Sequence, residues 1–502
     1  MSKICLTDVE AVNDEEYEVF DSYFRPKTIA IVGATNSPFS GGFGFLYALV
    51  SSEFPKDKIF PINRNRSEVL GVPAYPNLSA VPVPIDYVII AVPRKHILDV
   101  MEECVKKRIK LGTIFTAGFS EVGQPDLESR IVEIAKRGSM RLLGPNCMGL
   151  YVPKERVTFM VDLPVGRENS GTIGIISQSG GHANVFSNMG AYRGLKFSKV
   201  ISFGNGCDLH CPDFFEYLAR DPETEIIFIY LEGFKDAQMG QRFYHMASQA
   251  IKKKPIILWK GGKTKAGRGA IWSHTGSLAG SNEVVESLIN QIGLVEVTNP
   301  EEVIDTLNAF YYLKNRLPIG RRLAVVGGGG GNTVSTADIL NRAGFELPEN
   351  PKEVQEELIK VIGEVGVIVR NPLDLNVSTW EERRMRQVLK IVSSLKNIDM
   401  LIFDLGIDWG LKFEKAFGLE NVMQSTFKSV LRFLKKIQVP IIAVFPTIFY
   451  EGEIISKKIE FERIIQEFGI PTFSTMTRAA FALKKLVEYG ERFRSNQHLS
   501  ER

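Results

Sequence analysis

The feature that most constrains this chain is a pattern used three times: a short β-branched run, a turn rich in Gly or Ser, then a helix-length segment. Such alternation predicts parallel sheets whose strands are joined by crossover helices. The first block runs from about residue 25 to 150, with strands predicted at Thr28–Val32, Lys58–Ile62, Tyr87–Ala91, Gly112–Thr116 and Arg141–Leu143. The second opens at Gly171–Ile176 and continues through Glu225–Leu231 and Pro255–Trp259. The third opens at Arg322–Val326 and continues through Met400–Asp404 and Val439–Phe445. The expected fold class is α/β, with three consecutive Rossmann- or flavodoxin-like parallel-sheet domains. Linkers are expected at Val152–Gly171 and Asn315–Arg321, a bridging helix over Glu301–Lys314, and an amphipathic helix over Arg478–Arg492. The expected domain bounds are 25–150, 151–315 and 316–490, with an N-terminal extension 1–24 and a C-terminal tail 491–502.

Composition narrows the class. A length of 502 residues suits about three domains. With 44% hydrophobic and 24% charged residues, disorder of the whole chain is excluded. No apolar run approaches the roughly 18 residues of a membrane span. The acidic N-terminus lacks the apolar stretch of a secretory signal and is too acidic for a transit peptide. The net charge of +3, from 61 basic and 58 acidic residues, gives nucleic-acid binding little support. Five cysteines make no disulfide framework, so a reduced, cytoplasmic protein is expected. Cys207-Asp-Leu-His-Cys211 does not supply four ligands at zinc spacing, and no metal site is expected.

The first block reads as a site for a phosphate-bearing ligand. After its opening strand comes Gly33-Ala-Thr-Asn-Ser-Pro-Phe-Ser-Gly-Gly-Phe-Gly44. Its glycines let backbone amides approach a phosphate, and the following helix N-terminus favours the anion. It is not a G-x-G-x-x-G fingerprint, so on its own it names no ligand. The second strand runs into Phe60-Pro-Ile-Asn63-Arg64-Asn-Arg66. An NAD site usually places Asp or Glu there for the ribose hydroxyl. Two arginines instead attract a phosphate on that ribose, which fits coenzyme A or NADP; a solvated basic loop is the plain alternative. The turns Ala91-Val92-Pro93 and Thr116-Ala117-Gly118-Phe119 follow strands at their carboxyl ends, where open α/β sheets bind ligands. Gly144-Pro-Asn-Cys-Met-Gly149 ends the block, and its Cys147 reads as a small buried residue rather than a nucleophile.

The second block carries the sharpest signal. Gly174-Ile-Ile-Ser177-Gln178-Ser179-Gly180-Gly181 is a strand, a hydroxyl-rich turn and a helix start, offering hydroxyls and amides to an anion, or simply a helix cap. Glu232 directly follows the apolar run Ile226–Leu231. A carboxylate at a strand's carboxyl end can orient a histidine through one ring nitrogen and leave the other free to react. The alternative is an ordinary turn carboxylate. His274 lies in Ser273-His-Thr-Gly-Ser-Leu-Ala-Gly280, with Lys263, Lys265 and Arg268 upstream. A histidine in such a loop suits a phosphorylated intermediate: the imidazole attacks phosphorus and amides and hydroxyls hold the oxygens. Most lone histidines are structural, and His182 is the nearest rival.

In order, Gly33–Gly44, Ala91–Pro93, Thr116–Phe119, Gly144–Gly149, Ser177–Gly180, Tyr230–Gly233 and Ser273–Gly280 resemble the NDP-forming acyl-CoA synthetases. The likeness is greatest to the α subunit of ADP-forming acetyl-CoA synthetase, with the succinyl-CoA synthetase α chain a more distant relative. It covers about residues 25 to 490. It implies that Gly33, Ala34, Thr35, Ser40, Gly41, Asn63, Arg64, Arg66, Val92, Pro93, Ala117, Gly118 and Asn146 bind coenzyme A. It implies that Ser177, Gln178, Ser179 and Gly180 hold phosphate, and that His274 is transiently phosphorylated and steadied by Glu232. Gly327–Gly331 and Asn371–Leu375 resemble motifs of the family's third subdomain. The implied reaction interconverts acyl-CoA, phosphate and ADP with carboxylic acid, coenzyme A and ATP. The three blocks leave no segment for the family's ATP-grasp domain. The resemblance therefore implies a separate ATP-grasp β chain, which binds ADP or ATP with magnesium, in an α2β2 hetero-oligomer.

Other readings use the same scaffold. One is a CoA-dependent acyl or carbamoyl transferase, which needs no nucleotide-binding partner. Another is a non-catalytic CoA-binding regulatory subunit. A third, an NADP-dependent oxidoreductase, has no feature resembling a hydride-transfer site.

Overall fold

A computed structural model describes residues 14–269, 282–327, 329–363, 368–375, 381–404, 406–418 and 422–500. The chain divides into two compact units, Met1–Pro300 and Glu301–Arg502.

The first unit holds two main sheets. One has the order β2-β1-β5-β6-β7, built from β1 (Ile29–Val32), β2 (Ile59–Ile62), β5 (Tyr87–Ile90), β6 (Leu111–Ile114) and β7 (Arg141–Leu143). All four pairings are parallel. β1, β2, β5 and β6 are buried at every position. That is why they read as continuous apolar runs rather than alternating ones. Pro61 is tolerated because β2 is an edge strand. A short hairpin, β3 (Glu68–Val69) and β4 (Val72–Pro73), follows β2.

The other sheet has the order β13-β12-β11-β9-β10-β8. Its strands are β8 (Gly149–Tyr151), β9 (Ser170–Ser177), β10 (Phe197–Ser202), β11 (Ile226–Leu231), β12 (Ile256–Lys260) and β13 (Val295–Glu296). β8 runs antiparallel to β10, so this sheet is not wholly parallel. Sequence periodicity predicts neither β8 nor β10. Ser198 and Lys199 interrupt the apolar run of β10, yet both are buried. Lys199 Nζ is neutralised there by Asp221 Oδ2 at 2.8 Å and Glu223 Oε2 at 3.0 Å. Between β8 and β9, the expected linker is packed down through buried Val152, Val157, Phe159 and Leu163. The helix Asp14–Ser22, within the expected extension, lies against Cys211–Arg220. Phe24 stacks on Tyr217 with centroids 4.5 Å apart, and Tyr217 donates to Asp21 Oδ1 at 2.7 Å.

The second unit is built on one parallel sheet of order β14-β15-β16-β17. Its strands are β14 (Leu323–Gly327), β15 (Met400–Asp404), β16 (Ile441–Val444) and β17 (Thr472–Phe473). Helices Glu382–Ser393 and Val422–Leu434 set Val388 and Val430 into the same apolar core as Leu401 and Phe403. The helix Pro300–Leu313 opens this unit and Met476–Ser500 closes it, joined where Arg478 pairs with buried Asp305. Among the described residues no helix is long and apolar enough to cross a membrane.

Candidate active site

The loop after β1 begins at Gly33, whose φ of +94° excludes most side chains. A Cβ there would stand 2.4 Å from the Ala91 carbonyl oxygen, so only glycine lets these two strand ends close together. Ala34 is fully buried and its carbonyl accepts from Asn63 Nδ2 at 2.7 Å. Asn63 Oδ1 in turn accepts from the Asn65 amide at 2.9 Å, which shapes the turn carrying Arg64 and Arg66. Both arginines are exposed and make no ion pair among the described residues. Thr35 Oγ1 accepts from Ser37 N. Ser40 is the N-cap of helix Gly41–Ser51; its side chain makes no cap bond, and its carbonyl accepts from the Phe43 and Gly44 amides.

The neighbouring turns are stitched to one another. Thr116 Oγ1 donates to Val92 O at 2.6 Å, beside Pro93. Arg94 Nη1 donates to Gly118 O at 2.6 Å, next to exposed Ala117. Asn146, in the left-handed region at φ +59°, donates its amide to Thr116 O. Thus the CoA candidates gather at the carboxyl ends of β1, β2, β5 and β6. Cys147 is buried, its thiol pushed up by burial and directed at Ile114 O, which makes it an inert packing residue.

The two sheets of the first unit interlock just beside this crevice. Gly144 N donates to Phe203 O, Asn205 N to Pro145 O, and Cys207 N to Gly144 O. At Gly204, φ +56°, a Cβ would lie 2.4 Å from Pro145 O, so the two turns pack backbone on backbone. Asn205 Nδ2 bridges Glu121 Oε2 at 2.6 Å and Glu128 Oε1 at 2.8 Å. Burial opposes ionisation of Glu121, but the Gly118 amide, Asn205 and the Phe119 amide outweigh it and hold its carboxyl below the usual range. Sequence reading misses this network, because Asn205 lies 84 and 77 residues from its two partners.

The second crevice forms over adjacent strands β9, β11 and β12. Tyr230 stands opposite Ser177, and Leu231 opposite Lys260. Ser177 is buried and its Oγ donates to Ser179 O at 2.7 Å, so this hydroxyl is turned inward and braces the turn. Ser179 caps helix Gly180–Tyr192, accepting from His182 N at 3.3 Å. Gln178 Oε1 accepts from the amides of Glu232 at 2.8 Å and Gly233 at 3.3 Å, tying the helix start to the Glu232 turn. Gly180 lies against Met148, so the Gly144–Gly149 turn reaches this helix start.

Glu232 is 5% exposed. Its Oε1 accepts from Tyr230 OH at 3.3 Å, while Oε2 is buried with no hydrogen-bond partner among the described residues. Lys260 Nζ donates to Glu232 O at 2.6 Å and to Gly261 O. Burial lowers Lys260 to about 8, opposed in part by the charge of Glu232. Lys260 escapes sequence reading, although it ends an apolar strand much as Glu232 follows one. His182 is packed among rings, with centroids 4.3 Å from Tyr230 and 5.0 Å from Trp259. His274 and its loop lie outside the described residues. The approach to them ends in Arg268, whose Nη1 donates to Lys263 O at 3.0 Å. Among the described residues no group of three or more His, Cys, Asp or Glu is placed to hold a metal ion.

Residues 27–153 match a family described as a CoA binding domain, and residues 170–310 one described as a succinyl-CoA ligase like flavodoxin domain. The chain is 33% identical over 478 residues to the acetate–CoA ligase (ADP-forming) II subunit alpha of Pyrococcus furiosus, covering 94% of this chain and 98% of that one. It is 31% identical over 414 residues to the 4-hydroxybutyrate–CoA ligase (ADP-forming) of Nitrosopumilus maritimus, covering 81% and 57%. Its structure is similar to a dinucleotide-forming acetyl-coenzyme A synthetase 1 of Ca. Korarchaeum cryptofilum solved with phosphate and ADP. The TM-score is 0.76 at 29% identity, over 96% of this chain and 98% of that one. Matched nearly end to end in both directions, the chain belongs to the NDP-forming acyl-CoA synthetases as an α-subunit-like member.

Proposed function

We propose that this chain performs the acyl and phosphohistidine steps of an ADP-forming acid–CoA ligase. Phosphate at the Ser177–Gly180 helix start attacks the thioester carbonyl of an acyl-CoA. The coenzyme A thiolate leaves and an acyl phosphate forms. His274 then attacks phosphorus, the carboxylate leaves, and phosphohistidine remains. ADP on a partner chain takes the phosphoryl group and becomes ATP. Helix amides and Gln178-braced backbone stabilise charge on the phosphoryl oxygens, which is most of what phosphoryl transfer requires.

The observation that carries this reading is Glu232: a buried carboxylate oxygen with no partner among the described residues, beside the capped Ser179–Gly180 helix start. A buried carboxylate left unpaired is costly, and an imidazole N–H satisfies it. In this reading residues 25–150 bind coenzyme A through the turns after β1, β2, β5 and β6, with Arg64 and Arg66 facing its ribose phosphate. Residues 151–315 carry the phosphohistidine loop, and 316–490 form the third subdomain. The nucleotide and its magnesium belong to an ATP-grasp β chain, in an α2β2 assembly in the cytoplasm. The acid is a small carboxylic acid; the relatives are named for acetate and for 4-hydroxybutyrate.

The test is His274→Ala in the full chain. It is expected to abolish phosphoenzyme formed from acetyl phosphate while leaving coenzyme A binding intact. Phosphoenzyme persisting in this variant contradicts the assignment. Thioester turnover in wild type without nucleotide or phosphoenzyme favours a transferase instead.

A further inference from the structure

The Glu232 turn is held at its side chain, its amide and its carbonyl. Tyr230 OH donates to Oε1 at 3.3 Å, and Gln178 Oε1 accepts from the Glu232 amide at 2.8 Å. The carbonyl is held by a charged group: Lys260 Nζ donates to Glu232 O at 2.6 Å and to Gly261 O. Lys260 is buried and makes no ion pair among the described residues. Two neutral carbonyls offset the desolvation of an ammonium only in part, so an apolar residue would end this strand at lower cost. Burial lowers Lys260 to about 8, and it is still mostly charged at pH 7.

The ammonium spans the ends of two adjacent strands. On β11 it holds the carbonyl of the carboxylate-bearing residue. On β12 it holds the carbonyl of Gly261, in the backbone that runs on toward His274. The Gly261 amide returns a bond to Leu231 O at 2.9 Å. A Cβ on Gly261 would stand 2.8 Å from Tyr230 OH, so only glycine lets this turn close on the Tyr230–Glu232 pair. We propose that Lys260 is a positioning residue for phosphoryl transfer, fixing the Glu232 turn and the root of the His274 segment in one register. It touches no reacting group and acts through Glu232. The proposal rests on the reading of His274 and Glu232 given above and names the residue that aligns them.

The test is a double-mutant cycle on the full chain at pH 7, with phosphoenzyme formation from acetyl phosphate followed by rapid quench. Lys260→Met keeps the length of the side chain and removes its donors. It is expected to lower the maximal rate at least tenfold, with the half-saturating acetyl phosphate concentration and coenzyme A binding changed less than twofold. In a Glu232→Gln background the same change is expected to cost less than threefold, because the carboxylate it positions is already gone. Coenzyme A binding reports folding in every variant, and Lys260→Gln repeats the cycle where Lys260→Met does not fold. A wild-type rate in the folded Lys260 variant, an equal loss in both backgrounds, or a loss of acetyl phosphate affinity alone overturns the proposal. Phosphoenzyme persisting in His274→Ala, or absent from wild type, overturns the reading of His274 and this proposal with it. The Lys260 arms fail alone when that reading stands.

Discussion

The crevice over β9, β11 and β12 is lined by backbone amides, Gln178, Ser179 and Glu232, whereas the crevice over β14, β15 and β16 is lined by aromatic and aliphatic side chains around Asp404. Both lie at the carboxyl ends of parallel strands, the usual ligand position of open α/β sheets. One is a polar cradle braced by hydrogen bonds, and the other a largely apolar hollow with an isolated acid. Topology therefore fixes where a ligand can sit, and the few residues after each strand decide its chemistry. Each crevice holds a buried carboxylate, and the surroundings separate them. Glu232 has Tyr230 on one oxygen and Lys260 on its backbone; among the described residues Asp404 has no such partner.

Further substitutions sharpen this contrast. The largest effect is expected on folding, at the strand that carries the first unit's buried charge. Lys199→Ala leaves Asp221 buried without the Lys199 ammonium, held by the Thr224 hydroxyl and the Glu223 amide, at a cost of about 3 kcal/mol measured by chemical denaturation. A loss under about 1 kcal/mol, the range of a surface pair, contradicts the role given to that pair. Next comes Glu232→Gln, which keeps shape and removes charge. It is expected to slow phosphoenzyme formation on the order of 100-fold in rapid-quench assays.

Smaller effects probe the surface. Replacing Arg64 and Arg66 together by Ala is expected to weaken coenzyme A by roughly threefold to tenfold at low salt, as exposed charges do. Dephospho-coenzyme A is expected to bind both proteins alike; a matching loss for it shows that the arginines do not read the ribose phosphate. The smallest effect is acid sensitivity at Glu223. Burial opposes its ionisation, but bonds from Lys154 and Lys199 outweigh this and lower it from 4.5 to about 2. A carboxylate lowered on folding stabilises above its unfolded value, so this contribution fades as pH falls from about 4.5 toward 2. Because Glu223 is partly exposed, the amount is under about 1 kcal/mol. Glu223→Gln is expected to flatten the stability profile over that window, as seen in denaturant midpoints at several pH values.

The strands legible in sequence are those buried on both faces, such as β1, β11 and β15, where apolar runs are unbroken. β10 is hidden by Lys199, whose burial depends on Asp221 and Glu223 more than 20 residues away. β8 and β17 are too short, at three and two residues, to show a period. Within the candidate site, Glu232 is legible because a charge after an apolar strand stands out. The inward turn of the Ser177 hydroxyl is not, since the following turn sets it. The Asp404 cavity is likewise hidden, because Leu375, Met385 and Phe427 meet only in the fold.

The most direct measurement is intact mass and peptide mapping of the full chain after incubation with acyl-CoA and phosphate, repeated with an ATP-grasp partner and ATP. An acid-labile phosphate on His274, absent from His274→Ala, is the predicted result. Turnover of acyl-CoA to acid and ATP with no phosphate on His274, or phosphate carried by another residue, contradicts the account.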